Sequence, residues 1–353
     1  MKNLFLILLC IPIFSIGQNE NTKNQSKNKE NKFSFHSDGP YIFFEKNKLV
    51  EKGIINGEVY LKDLDLNVYD STYNIQRSNY RNIDNIAALS DIHGQYDLLI
   101  ELLTNNKIIN NDLNWDFGEG HLVVVGDIFD RGSKVNEVLW LIYKLEIQAR
   151  KMGGRVHFLL GNHDYMVIQR DLRYINSRYR ISSYLLGIPY NELYSDKTIL
   201  GRWIRSKSTI IKINDIIFTH GGVSNEFLTN YGTDLKKIND IMREKIDISA
   251  DKMKDDEYDL YYGIKSLIWY RDYFKEYGEN LTNLDVTKIL KQLNSKHIVV
   301  GHSSNEEIVG LYNNKIFGVD SSIKLGKYGE LLFVINDRFY RGKLDGQLSE
   351  ISK

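Results

Sequence analysis

Short apolar runs recur along the chain, and each breaks off in a similar way. IAALS, 86–90, leads into Asp91, His93 and Gly94. HLVVV, 121–125, leads into GDIFDRG, which holds Asp127, Asp130 and Arg131. VHFLL, 156–160, leads into GNHD with Asn162, His163 and Asp164. IIKINDIIFT stops at His220 and two glycines, and HIVV stops at Gly301 and His302. Runs this short, bounded by turns, read as buried strands. Between the first three the period becomes helical. DLLIELLTNN (97–106) is a short amphipathic helix, and SKVNEVLWLIYKLEIQARKM (133–152) a longer one, with Ser133 as N-cap and Gly153-Gly154 as its stop. Strands alternating with helices predict parallel strands with helices outside.

In open α/β sheets, ligands gather beyond the carboxyl ends of the strands, which is where these polar residues fall. Asp91 and His93 are two apart, so on an extended chain both face one point. Four of the eight histidines (His93, His163, His220, His302) occupy strand-end loops, and His157 precedes one inside a strand. Any one buried histidine is more often a packing residue. Five such loops with adjacent glycines, which let backbone and side chains crowd a small charged centre, point instead to a divalent metal held by N and O donors.

The blocks D-x-H-G, G-D-x-x-D-R-G, G-N-H-D, H-G-G and G-H, in that order from Asp91 to His302, resemble the calcineurin-like metallophosphoesterases and, within them, the phosphoprotein phosphatase type. GDIFDRGSKVNEVLW and LLGNHDYMVIQRDLRY resemble its bacterial Shewanella-like branch. Two positions depart from the pattern: Ser90 stands where Gly is usual, a small residue expected to do little harm, and Asp164 stands where Glu is commoner and is not an expected ligand. The resemblance implies an α/β fold of two packed mixed β-sheets flanked by helices, with helical insertions over the site. It implies two divalent metal ions (Mn, Fe or Zn) sharing Asp127. One takes Asp91, His93 and Asp127; the other takes Asp127, Asn162, His220 and His302. Two metals about 3.5–4 Å apart clamp an in-line displacement at phosphorus by a bridging hydroxide. His163 is the implied general acid and Asp130 its carboxylate partner. Arg131 and, in the W-Y-R of the second insertion, Arg271 clamp phosphate oxygens. The implied reaction is hydrolysis of a phosphate monoester, either phosphoprotein (Ser/Thr or Tyr) or aryl phosphate. A nucleotide or dinucleoside polyphosphate is the alternative on the same core.

The flanks add context. Met1–Gly17 has one Lys, an apolar stretch and a small-residue end, as a secretory signal peptide does. Cleavage after Gly17 predicts export, periplasmic or secreted, with no transmembrane span in the mature chain. Cys10, the only cysteine, leaves with it, so neither a disulfide nor a thiolate ligand is expected. Residues 18–38 are polar and Asn/Lys-rich and read as a disordered linker in which His36 has no role. Residues 39–353 read as one metallophosphoesterase domain. Its 39–81 segment forms an antiparallel hairpin or meander turning at Asn56-Gly57. Helical insertions cover about 165–208 and 224–295, and 310–343 completes the second sheet. Arg173 and Arg178 are candidate substrate contacts; Lys134 and His121 read as surface residues.

The formal net charge is zero, which argues against a nucleic-acid footprint. A binding module on a dead phosphatase scaffold is the competing class of function. Every expected ligand, the acid and its partner are present, which argues against it. A role for the N-terminal strands as an interaction edge is compatible with either.

Overall fold

The computed structural model describes residues 33–276 and 281–352, so the leader and most of the linker lie outside the described residues. The described chain opens with β1 (Asp38–Glu45), β2 (Lys48–Ile55) and β3 (Glu58–Leu64). They form an antiparallel meander whose second turn is Asn56-Gly57, both left-handed (φ 51° and 79°). Then come β4 (Asn79–Tyr80), β5 (Asn85–Leu89), α1 (Tyr96–Asn105), β6 (His121–Val125), α2 (Val135–Lys151) and β7 (Arg155–Leu159). The first insertion holds α3 (Asn162–Ile168), α4 (Ser177–Leu186) and α5 (Ile199–Arg205), and β8 (Ile210–Ile213) and β9 (Ile216–Thr219) follow. The second insertion holds α6 (Asn225–Tyr231), α7 (Leu235–Glu244), α8 (Asp255–Tyr262) and α9 (Asn283–Gln292). The chain closes with β10 (His297–Val300), β11 (Val309–Leu311), β12 (Ile316–Gly318), β13 (Leu331–Ile335), β14 (Arg338–Gly342) and β15 (Leu348–Glu350).

Two six-stranded mixed sheets form the centre. One runs β15-β14-β13-β5-β6-β7 and the other β11-β12-β10-β9-β8-β4. Within them β5, β6 and β7 are parallel, as are β9, β10 and β12, so the site-bearing strands end on common edges. Successive side chains of a strand point to opposite faces. Ile86, Ala88, Val123 and Val125 pack against Ile211, Phe218, Val299 and Phe317 of the other sheet. Their neighbours Ala87, Leu89, Leu122 and Val124 face a larger core shared with Leu99, Leu102, Leu139 and Ile142 of the helices. Burial on both faces explains why these strands read as unbroken apolar runs. Among the described residues no helix is long and apolar enough to cross a membrane.

Four sequence readings change. Residues 310–343 do not complete one sheet: β11 and β12 join the second, while β13 and β14 extend the first, antiparallel to β5. Ser133 does not cap α2. The hydroxyl of Tyr179, from α4, accepts the Val135 N–H (2.6 Å) and donates to the Ser133 carbonyl (2.9 Å). His36 is buried (4% exposed), and its Nε2 lies 2.9 Å from Ser182 Oγ. Ser182 in turn donates to Asp38, which also accepts from Tyr41 (2.7 Å), so the entry of the chain is fastened to the first insertion. His121 is buried too, 3.0 Å from His157 and edge-on to Tyr80.

Candidate active site

The carboxyl ends of β5, β6, β7, β9 and β10 deliver the polar residues to one place. His93 Nε2 lies 3.6 Å from Asp127 Oδ2, and His220 Nε2 lies 3.2 Å from the same oxygen. Asp91 is 3.8 Å from His93 and accepts the backbone N–H of His302 (2.9 Å), joining the two sheets. Asn162 and His163 open α3, and the amide oxygen of Asn162 is 2.9 Å from His220 Nε2. The groups His93–Asp127–His163 and Asp127–His220–His302 each offer three donor atoms within 4.8 Å of one another, all buried. Asp127 belongs to both.

Six of these residues, Asp91, His93, Asp127, Asp130, Arg131 and His302, are left-handed, with φ between 44° and 72°. Each costs roughly 1–3 kcal/mol, and such strain persists where the surroundings over-determine it, typically at functional sites. Two glycines make the crowding possible. A Cβ on Gly126 would stand 2.6 Å from His220 Nδ1, and one on Gly161 would overlap the Asp127 carboxylate.

The imidazoles are oriented from behind. His93 Nδ1 faces the Phe129 carbonyl at 2.6 Å, and His220 Nδ1 faces the Val125 carbonyl at 2.8 Å. Each thereby presents Nε2 to the site, the arrangement that fixes the tautomer of metal-binding histidines. Asp127 Oδ2 and His302 Nε2 are buried without a hydrogen-bond partner. Burial would push the Asp127 carboxyl up, but His220 and His163 hold it well below the usual carboxylate range. Burial and Asp320 push Asp91 up to about 7. His220 is held at about 9 by Asp127, against the pull of burial. His93 and His302 are pushed well down, chiefly by burial. Carboxylates and imidazoles buried against one another, with His302 Nε2 left without a hydrogen-bond partner, are a donor set that fits divalent cations.

Beside this cluster, His163 Nδ1 lies 2.6 Å from Asp130 Oδ2. The Arg131 guanidinium reaches His93 Nε2 and His163 Nε2, both at 3.2 Å. Arg271 donates to the His302 carbonyl (2.9 Å) and to Ser303 Oγ (3.3 Å), at the far side. All ten sequence-predicted site residues therefore converge. Arg178 does not join them: it lies beside Asp38 and Glu137.

Comparison with known proteins fits this arrangement. The family model described as calcineurin-like phosphoesterase matches residues 85–315, well over half of the chain and every strand that feeds the site. The chain belongs to that family. As a calcineurin-like phosphoesterase it is similar to Shewanella-like protein phosphatase 1 of Plasmodium berghei, 28% identical over 307 residues (82% of this chain, 77% of that one). Shewanella-like protein phosphatase 2 of Arabidopsis thaliana is 24% identical over 298 residues (71% and 74%). Among solved structures, a cold-active protein-tyrosine phosphatase of a psychrophile Shewanella species matches with a TM-score of 0.85 and 42% identity. That match covers 90% of this chain and all of the other. Family, relatives and buried donor set together make this phosphoesterase a metal-dependent phosphatase.

Three features of the phosphatase site were not read from the sequence. Asp164 accepts four backbone N–H groups, from Gly161 (2.8 Å), Asp127 (2.9 Å), Ile128 (3.0 Å) and Phe129 (3.2 Å). It stitches the start of α3 to the loop after β6, more than its adjacency to His163 suggests. Tyr174 stands 5.2 Å from the His163 ring. Asp320, buried behind Asp91, accepts from Ser304 Oγ (2.6 Å) and Lys324 Nζ (3.3 Å). No motif flags Tyr174 or Asp320; only the GVDSS turn after β12, polar after an apolar run, hints at the latter.

Proposed function

We propose that this phosphatase hydrolyses phosphate monoesters of phosphorylated protein, tyrosine phosphate foremost, or of related aryl phosphates, with two divalent metal ions. Asp91, His93 and Asp127 would hold one ion, and Asp127, Asn162, His220 and His302 the other. The buried His302 Nε2 without a hydrogen-bond partner, the Asp127 Oδ2 that both His93 and His220 face, and the two imidazoles turned inward by backbone carbonyls support that assignment. When bound, such ions neutralise phosphate charge and make water a competent nucleophile near neutral pH. The ion would be Mn, Fe or Zn, metals suited to N and O donors.

The remaining work falls to the chain's own side chains. Arg131 and Arg271 hold phosphate oxygens with planar, always-charged forks. Arg131 now rests on the two imidazole nitrogens, so it swings outward to do so. His163 gives its Nε2 proton to the leaving oxygen, and Asp130, on Nδ1, stabilises the imidazolium that carries it. The observation that carries this reading is the His163–Asp130 contact of 2.6 Å beside a buried carboxylate–imidazole cluster. The tyrosine-phosphate preference draws on the 42% identical Shewanella relative.

The test measures hydrolysis of p-nitrophenyl phosphate and of an alkyl phosphate with added Mn²⁺, with and without chelator. His163→Ala is expected to lower the alkyl-ester rate by roughly 10²–10⁴-fold while bound metal stays constant. Loss of metal in that variant would make His163 a ligand, a role its nearness to His93 and Asp127 allows. Turnover of dinucleoside tetraphosphate in preference to every monoester would replace this reading with the alternative.

A further inference from the structure

We propose that Tyr174 is the platform on which the leaving group's aromatic ring rests, and that it sets the preference for aryl over alkyl esters. This rests on the phosphatase reading above, with His163 as the acid. An acid protonating the leaving oxygen sits about 3 Å from it, so whatever that oxygen carries begins beside the imidazole. Tyr174 is the aromatic side chain there, its ring 5.2 Å from that of His163 and tilted 60° to it. Ring separations of about 4.5–7 Å are those at which aromatic groups attract one another.

Packing does not explain the residue. Tyr174 is 46% exposed, whereas the next residue, Ile175, is buried. It is nonetheless firmly placed. Its carbonyl accepts the Arg131 N–H (3.0 Å), and Asn176 donates to the Arg131 carbonyl (2.7 Å) while capping α4. The platform and the phosphate clamp are thus tied to one another. Two guanidinium groups flank the ring, Arg131 at 5.9 Å and Arg173 at 5.5 Å, and Arg173 is itself held by Asp171. On the other side of the site, the second insertion places rings beside His302. Tyr262 lies 6.3 Å from Trp269, and Trp269 is edge-on to His302 at 5.4 Å. Both insertions thus place aromatic rings beside site residues, Tyr174 at the acid and Trp269 at His302. An aryl leaving group stacks on Tyr174, while the short aliphatic stem of a serine phosphate does not reach it.

The test compares Tyr174→Ala, Tyr174→Leu and Tyr174→Phe with wild type on one peptide carrying phosphotyrosine or phosphoserine. Binding of phenylphosphonate and methylphosphonate, neither of which is hydrolysed, is measured alongside. Tyr174→Ala and Tyr174→Leu should lower the aryl-to-alkyl ratio of kcat/KM by about tenfold, with the loss mainly in KM, and weaken phenylphosphonate relative to methylphosphonate by a similar factor. Tyr174→Phe should stay close to wild type on both measures. An unchanged ratio, or a Tyr174→Phe variant as impaired as Tyr174→Ala, overturns the proposal even though the enzyme is active. A wild type that turns over neither ester defeats the phosphatase reading, and this one with it.

Discussion

Gly161 shows how little freedom the site leaves at single positions. Its missing side chain makes room for the Asp127 carboxylate and its backbone N–H. Gly161→Ala is therefore expected to displace Asp127, the ligand proposed to be shared by the two ions. Titration with Mn²⁺ should show at least one ion lost, while the fold, judged by far-ultraviolet circular dichroism, persists. Retention of two ions at unchanged affinity would refute this. Residues of this kind were legible because ligand and glycine lie next to each other in the chain, at the end of an apolar run. Asp164 was legible only as a departure from a pattern. Its four hydrogen bonds reach back to a loop that spacing cannot place beside it. Ser90 was expected to be harmless. It is buried against Gly301, whose missing Cβ leaves room for its hydroxyl.

At the level of elements, α2 and α5 meet through one buried carboxylate. Glu146 accepts from Lys207 Nζ (2.5 Å) and Trp203 Nε1 (2.8 Å), and all three are buried. Burial pushes its pKa up, but Lys207 and its hydrogen bonds win and hold it below the ordinary value of 4.5. A carboxyl lowered in the folded state adds stability above its ordinary range and loses that contribution as the pH falls through the folded value. Glu146→Gln strands the Lys207 charge and should cost about 3–5 kcal/mol at neutral pH. In urea denaturation the deficit should shrink below pH 4.5, and a deficit independent of pH would argue against the ion pair as its cause. The sequence marked α2, since its periodicity is local, and placed α5 only within a helical insertion. It gave no sign of this pairing, nor of Tyr179 capping α2, because both depend on where the insertion folds back. For the same reason the strands in 310–343 were legible but not their sheet. Alternation tells which side chains are buried and says nothing about which neighbour buries them.

For the whole molecule, the site is also a clasp. Its donors come from both sheets, and a ligand that binds only the folded state stabilises it by mass action, about 2.7 kcal/mol at a hundred times Kd. Chelation should lower the melting temperature by several degrees, and adding Mn²⁺ back should restore it. A melting temperature indifferent to chelator, with metal demonstrably removed, would place the donors outside the stable core. The two-sheet architecture was legible from motif order together with the resemblance, but the aromatic residues beside the site, Tyr174 and Trp269, were not, since they come from two separate insertions. One further consequence concerns the order of synthesis. Asp91 and the His302 backbone that it grips are 211 residues apart in the chain. Chains are made from the amino end, so Asp91, His93, Asp127 and Asn162 exist long before β10 can seat His302. A half-made chain lacks His302, and with it part of the donor set proposed for the second ion. Of the two proposed ions, the one that draws on His220 and His302 can therefore meet its full donor set only after β10 has docked, whereas the set of Asp91, His93 and Asp127 is complete much earlier in the chain.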